Sequence, residues 1–297
     1  FGFWSVFLAV ISVMCRRVVY LFGPTELAEV AMPDGSVILT ETANGRITRV
    51  GPDGLKEIVA EPGGGPNGLA IGPDGELYCC NNGGFEYSET GGYLAPVGIA
   101  SDYSGGRIER IDLATGKVEI LYQSGDFGCT LRGPNDIVFD AHGGFWFTDH
   151  GKVDYAKRCH DIVGIFYAKA DGSFLEEVIF PSQNPNGVGL SPDGKTLYSS
   201  RGLPASVPGL PGSTIRHLFK FSSDPFTPGK VETDLSLPTK ADCIAGVPKV
   251  SPDGGRIALY LLCPADPNNG ITLTDPVGAR FTFVRPGFGP DWNPVAR

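Results

Sequence analysis

The 297-residue chain repeats one phrase five times: a polar residue, a short apolar run, a Pro-Asp-Gly-like turn, a second apolar run and a return strand. One copy reads Asn67-Gly68-Leu69-Ala70-Ile71-Gly72-Pro73-Asp74-Gly75, continues through Glu76 to Cys80, and returns over Gly106 to Asp112. The next opens at Asn135 and turns at Asp140-Ala141-His142-Gly143; another opens at Asn186 and turns at Pro192-Asp193-Gly194. The first copy turns at Pro33-Asp34-Gly35, and the fifth runs from Asp242 through Pro252-Asp253-Gly254. Each unit is too small to bury its own apolar faces, so successive units must stack on one another. Short strands rich in Ile, Val, Phe and Tyr, stacked in this way, predict an all-β propeller of four-stranded blades. Segments such as residues 116–122 supply the outermost strand. The 42 Gly and 25 Pro fit the many tight turns, and no segment keeps a helical period.

Residues 22–297 read as one propeller domain, preceded by an apolar segment over 1–21. After Thr274 about one strand pair's worth of sequence remains, so five units close as five blades or belong to a six-bladed ring with an abbreviated last blade. Phe1 to Cys15 is almost wholly apolar and is followed by Arg16-Arg17. It is shorter than the roughly 20 residues of a spanning helix, and its charge lies on the wrong side for a secretory signal. It reads as a remnant of a longer chain or a poorly defined leader.

The net charge of −9, without any Lys/Arg-rich run, argues against nucleic acid and against an anionic membrane surface as partners. Seven cysteines, odd in number and irregular in spacing, fit free thiols in a reducing compartment, which points to the cytoplasm. No Gly-x-Ser-x-Gly elbow nominates a catalytic serine, and no Gly-rich phosphate loop precedes a helix. His142, inside a turn, and His150, at a strand end, read as surface or supporting residues.

The register of the repeat selects the candidate site. Asn67 lies six residues before Pro73, Asn186 six before Pro192, and Asn135 six before Ala141. Equivalent positions in successive blades are related by rotation about the axis, so these side chains share one height. Asp242 opens the fifth unit, where Pro252 arrives ten residues on, marking an insertion. Converging amide and carboxylate oxygens suit Ca²⁺, Mg²⁺ or Mn²⁺, and Zn²⁺ less well. The plainer alternative is that these residues only cap turns at strand starts.

The segments Gly65-Pro66-Asn67-Gly68-Leu69-Ala70, Arg132-Gly133-Pro134-Asn135-Asp136-Ile137-Val138-Phe139-Asp140, Phe145-Trp146-Phe147-Thr148-Asp149 and Pro185-Asn186-Gly187-Val188-Gly189-Leu190-Ser191-Pro192-Asp193-Gly194 resemble the SMP-30/gluconolactonase (regucalcin-like) family over roughly residues 22–275. The resemblance implies a six-bladed propeller, its sixth blade apparently truncated here, holding one divalent metal ion, Ca²⁺ first among the candidates. The implied ligands are a first-blade Glu, two Asn and an Asp, the latter three falling on Asn135, Asn186 and Asp242. At the Glu position stands Leu27, six residues before Pro33. Glu26 takes that role if a bulge accommodates one extra residue; Glu29 shares the face of Leu27 but lies further along the strand.

The implied activity is hydrolysis of a sugar or other small lactone. The metal polarises the ring carbonyl and acidifies a bound water. Asp242 acts as general base, Asn67 and Arg132 orient the substrate, and Asp136 is a supporting or alternate ligand. Two other readings stay open. One keeps the site and takes phosphotriesters as substrate. The other is a non-catalytic propeller that binds a partner or small molecule, favoured by Leu27 and the short C-terminal part.

Overall fold

The computed structural model describes residues 26–90, 93–154, 157, 159–182, 185–201, 217–222, 231–236, 244–245, 248–262, 270–274 and 281–285. Among them the regular elements are β-strands, joined by two 3-10 turns at Thr42–Asn44 and Asp126–Gly128. No helix among the described residues is long and apolar enough to cross a membrane.

Antiparallel blade-like sheets follow one another along the chain, as the repeat predicts. The first comprises Glu26–Ala31, Val37–Glu41, Arg46–Val50 and Lys56–Ala60. The second comprises Pro66–Ile71, Leu77–Asn81, Arg107–Ile111 and Val118–Gln123. Pro134–Phe139, Gly144–Asp149, Val163–Lys169 and Leu175–Ser182 form the third; Pro185–Leu190, Thr196–Arg201, His217–Ser222 and Val231–Ser236 form the fourth. In the fifth, Ile244–Ala245 and Lys249–Val250 both pair with Ile257–Leu262. Ala245 stands opposite Leu261 and Val250 opposite Ile257, the same five-against-four stepping as Pro66–Ile71 in the second sheet, so the insertion expected from the late Pro252 does not lie between Ala245 and that turn. Gly270–Thr274 and Phe281–Arg285 complete that sheet. Between the second and third strands of the second and third sheets, the chain adds hairpins: Phe85–Thr90 with Tyr93–Ile99, and Val153–Asp154 with Cys159–His160.

The turns repeat for a local reason. Gly35, Gly75, Gly143, Gly194 and Gly254 all have φ between 69° and 82°, the left-handed region that glycine enters without steric cost. The side chains of Asp34, Asp74, Asp193 and Asp253 each accept the N–H two residues on, closing the turn.

The apolar runs lack polar alternation because both faces of a blade are covered. Successive side chains of a strand point to opposite faces, and here each face serves a different core. Leu77 and Cys79 pack with Ile38, Ile47, Leu69 and Ile111 between the first two blades. Tyr78 and Cys80 face the other way, joining Tyr122, Phe145, Phe147 and Phe166 between the second and third. Trp146, Ile165 and Tyr167 then pack with Val188 and Leu197 of the fourth blade. Cys79 and Cys80 are buried free thiols; Cys129, partly buried, and Cys159, exposed, are free as well.

Stacking brings the first strands together. Glu26–Ala31 lies beside Pro66–Ile71, which lies beside Pro134–Phe139, which lies beside Pro185–Leu190, which lies beside Lys249–Val250. The approach is close enough to demand glycine at one point. A Cβ on Gly68 would stand 2.5 Å from both the Asn135 carbonyl oxygen and the Asp136 Cα, inside any real contact distance.

Candidate functional site

Each of the first four blades carries a β-bulge at the same place in its first strand. Pro66 pairs with Asn81 and Leu69 with Cys79, so three steps on one strand answer two on the other. The same slip occurs between Pro134 and Ile137, between Pro185 and Val188, and between Glu26 and Glu29. Asn67, Asn135 and Asn186 each follow the paired proline, so all three lie inside the bulge. A bulge re-aims a side chain and interrupts pairing. It therefore separates these asparagines from the regular alternation of the strand.

Hydrogen bonds fasten the bulges to one another. Thr148 Oγ1 accepts the Asp136 N–H (3.1 Å) and donates to the Asn186 carbonyl, tying the third bulge to the fourth. Asp136 is buried, and its Oδ2 accepts the Val188 N–H at 2.8 Å, a second tie between the same strands. Ser200, in the register of Thr148, accepts the Gly187 N–H at 2.9 Å. Gly68 packs on the Asn135 carbonyl from the other side. The backbones of the three asparagine bulges are thus adjacent at one end of the array. Asn67 is buried, while Asn135 and Asn186 are partly exposed.

The first blade differs. The bulge near Glu26 is present, but it is the bulge every blade shares, so Glu26 sits in the proline register opposite Glu41 and Leu27 takes the asparagine register. Thr40 occupies the register of Thr148 and Ser200, yet its buried hydroxyl has no hydrogen-bond partner among the described residues. The hydroxyl that ties down the third and fourth bulges is therefore idle in the first. Glu29, paired with Leu39, is partly exposed. The side chain of Glu26, and Asp242 altogether, lie outside the described residues.

A second set of residues holds the approach to each bulge, and sequence reasoning did not single it out. Asp149 is buried, and its carboxylate accepts N–H bonds from Arg132 (2.7 Å), Gly133 (2.8 Å) and Gly151 (2.8 Å). Asn81 does the equivalent in the second blade, its Oδ1 accepting from Gly65 (2.9 Å) and Gly83 (3.0 Å). The signal was available: Asn81 follows Asn67, and Asp149 follows Asn135, by the same fourteen residues. Burial raises Asp149 to about 6 against the opposing pull of its three N–H donors.

Arg132 is held rather than free. Its Nε donates to Asp161 at 2.9 Å, its carbonyl accepts the Tyr103 hydroxyl at 2.6 Å, and its guanidinium lies 5.6 Å from the Tyr103 ring centre. His142 is exposed in its turn, and His150 is partly buried with its N–H on the Gly133 carbonyl.

Lys152 is the most unusual ionisable group nearby. It is only 2% exposed, its Nζ donates to the Gly84 carbonyl at 2.7 Å and to Asn82 Oδ1 at 3.3 Å, and it lies 3.5 Å from the centre of the Phe85 ring. Burial pulls it down to about 7, with Arg132 adding to the fall and Asp149 and Asp161 opposing it. A folded value below the unfolded one means that the unfolded chain binds more protons from about pH 7 to about pH 10.4. Stability should therefore climb with pH across that window. The expected result is that wild-type Tm rises relative to Lys152→Met between about pH 7 and pH 10; parallel curves would show that Lys152 titrates normally.

Among the described residues no three His, Cys, Asp or Glu side chains gather as a metal site. The residues whose backbones the bulges bring side by side are asparagines, and their side-chain oxygens are hard and neutral. They fit an oxygen-seeking dication such as Ca²⁺, provided carboxylates such as Glu26 and Asp242 supply the balancing charge.

The SMP-30/Gluconolactonase/LRE-like region family model matches residues 25–209. A protein named Lactonase drp35 from Staphylococcus haemolyticus is 30% identical over 167 residues, 56% of this chain and 44% of the relative. The chain thus spans about half the length of the curated relatives it matches. Among solved structures, a gluconolactonase from Xanthomonas campestris superposes with a TM-score of 0.63 at 19% identity, covering 89% of this chain and 77% of that one. A chain of a nidogen/laminin complex superposes at 0.54 with 16% identity, covering 84% and 75%. At such identities the likeness is one of fold, which alone does not fix activity.

Proposed function

The chain belongs to the SMP-30/gluconolactonase/LRE-like family, and from that premise we propose that it is a lactonase, a hydrolase that opens a sugar or other small lactone with the help of one divalent metal ion. The observation that carries this reading is the meeting of the Asn67, Asn135 and Asn186 bulges at one end of the array, with Thr148 and Asp136 fastening the last two. The reading takes the array as a six-bladed ring of which the described sheets form part.

Asn135 and Asn186, with Glu26 and Asp242, are the residues assigned to hold the ion, Ca²⁺ before Mg²⁺, Mn²⁺ or Zn²⁺. When bound, it would polarise the lactone carbonyl and acidify a water. Asp242 is assigned to take the proton of the attacking water. Asn67 and Arg132 orient the substrate: Asn67 sits in the neighbouring bulge, and the salt bridge to Asp161 holds Arg132 in one place while leaving its side chain 38% exposed. Asp149 fixes the backbone from Arg132 to Gly133 and so positions both Arg132 and Asn135.

The test is hydrolysis of an aldonolactone panel, followed by proton release, before and after EDTA. Turnover should fall more than about tenfold and return with Ca²⁺ or Mn²⁺. Undiminished turnover in excess chelator would overturn the metal-dependent reading. An aryl phosphotriester assayed alongside separates the related reading with that substrate class. The Leu27 register and the idle Thr40 hydroxyl favour a second reading, a propeller that binds without catalysis. It predicts no Ca²⁺ binding at millimolar concentration and no lactone turnover.

A further inference from the structure

The connection between the second and third strands of the second blade passes the approach to the Asn67 bulge. There Asn82 is 2% exposed, its backbone N–H donates to the Gly65 carbonyl at 2.9 Å, and Gly65 lies two residues before Asn67. The Asn82 side chain lies flat on Gly65, where any Cβ would collide with its amide. Its Oδ1 is committed, accepting from the Gly84 N–H at 2.8 Å and from Lys152 Nζ. Its Nδ2 is buried and has no hydrogen-bond partner among the described residues. A buried amide that donates nothing is expensive and rare, and calls for an acceptor.

Beside it stands Lys152, from the loop after the third blade's second strand, likewise 2% exposed. Its contacts are a carbonyl, an amide oxygen and the Phe85 ring. Among the described residues it forms no ion pair. A buried ammonium without a counter-charge is costlier than the idle amide, which is why burial favours loss of its proton. Asp149 and Asp161 are the nearest acids felt by its charge, but the first is occupied by three backbone N–H groups and the second by Arg132 and the Lys152 backbone N–H. The two deficits, an unused amide donor and a buried lysine amine with no acid partner among the described residues, share one remedy: a carboxylate, which would also hold the amine protonated.

We propose that Asn82 and Lys152 form a subsite for a carboxylate carried by the substrate, so that the preferred lactone is an acidic one. The Asn82 amide donates to the carboxylate oxygen, Lys152 supplies the charge, and the Phe85 hairpin covers the pair. Gly65 is required because its missing side chain makes room for the amide. This deepens the lactonase reading and rests on it for the word lactone; carboxylate binding itself does not depend on turnover.

The experiment compares D-glucaro-1,4-lactone with D-glucono-1,4-lactone, which share a ring and differ in a carboxylate against a hydroxymethyl group. The readout is the ratio of kcat/KM for the acidic over the neutral lactone, which cancels any difference in active fraction between preparations. The wild type should favour the acidic lactone by about tenfold or more. Asn82→Asp, which sets a negative charge beside Lys152, and Lys152→Met, which keeps the stem against Phe85, should each bring the ratio to about one or below. Two variants keep the test usable if one fails to fold. A wild-type ratio near one, or a ratio unchanged in the variants, overturns the subsite even if both lactones are hydrolysed. If neither lactone is turned over, the lactonase reading falls, and calorimetric Kd values for the same two probes still decide the subsite by the same ratio.

Discussion

Asn186→Ala is expected to lower kcat/KM on the best aldonolactone by about 10²-fold or more, since losing even an outer partner of a metal site typically costs about 10–100-fold. Thermal stability should hardly move. The Asn186 side chain is partly exposed, and the tie that fastens this bulge uses its backbone carbonyl, which the substitution leaves in place. A cost within about 1 kcal/mol corresponds to a Tm shift of only a few degrees for a domain of this size. Asn186→Asp, which keeps an oxygen donor, should retain more turnover than Asn186→Ala and shift the metal dependence. Full turnover by the alanine variant would remove Asn186 from the site and leave the adjacency of the bulges without a catalytic meaning.

Trp146→Ala should produce the largest loss of stability, about 3–5 kcal/mol by comparison with other buried tryptophans. The ring is fully buried between the third and fourth blades, 5.1 Å from the Tyr167 ring centre and packed with Val188 and Leu197. Removing it leaves a cavity at the interface that sets the two blades against each other. Asn135 belongs to one of these blades and Asn186 to the other, so metal affinity should weaken together with the urea midpoint. Trp146→Phe should recover much of both. Loss of stability with metal affinity unchanged would show that the ties through Thr148 and Asp136 align the bulges without help from the core.

The positions of the strands were legible in the chain because the turn chemistry is local. Pro-Asp-Gly closes a hairpin within a few residues whatever surrounds it, whereas the insertion read from the late Pro252 does not appear between Ala245 and the turn, where the fifth sheet keeps the register of the others. The asparagine register was legible for the same reason, since counting back from each turn needs no tertiary information. Asn81 and Asp149 were missed because a polar residue at a strand end has many ordinary roles; only the amides they accept show that they hold the bulge approaches. Asn82 and Lys152 carried no signal at all. They lie 70 residues apart and belong to different repeats.

By itself, then, the order of residues determined an all-β array of stacked sheets and the height at which Asn67, Asn135 and Asn186 stand, because turns and strand periodicity are set by nearest neighbours along the chain. Only the folded molecule decided that Leu27 rather than Glu26 shares the asparagine register, that Asp136 and Thr148 lace one blade to the next, and that a lysine is buried beside an idle amide. Those features depend on strand pairing, burial and close approach between blades, which come into being when separate repeats exclude water from the space between them.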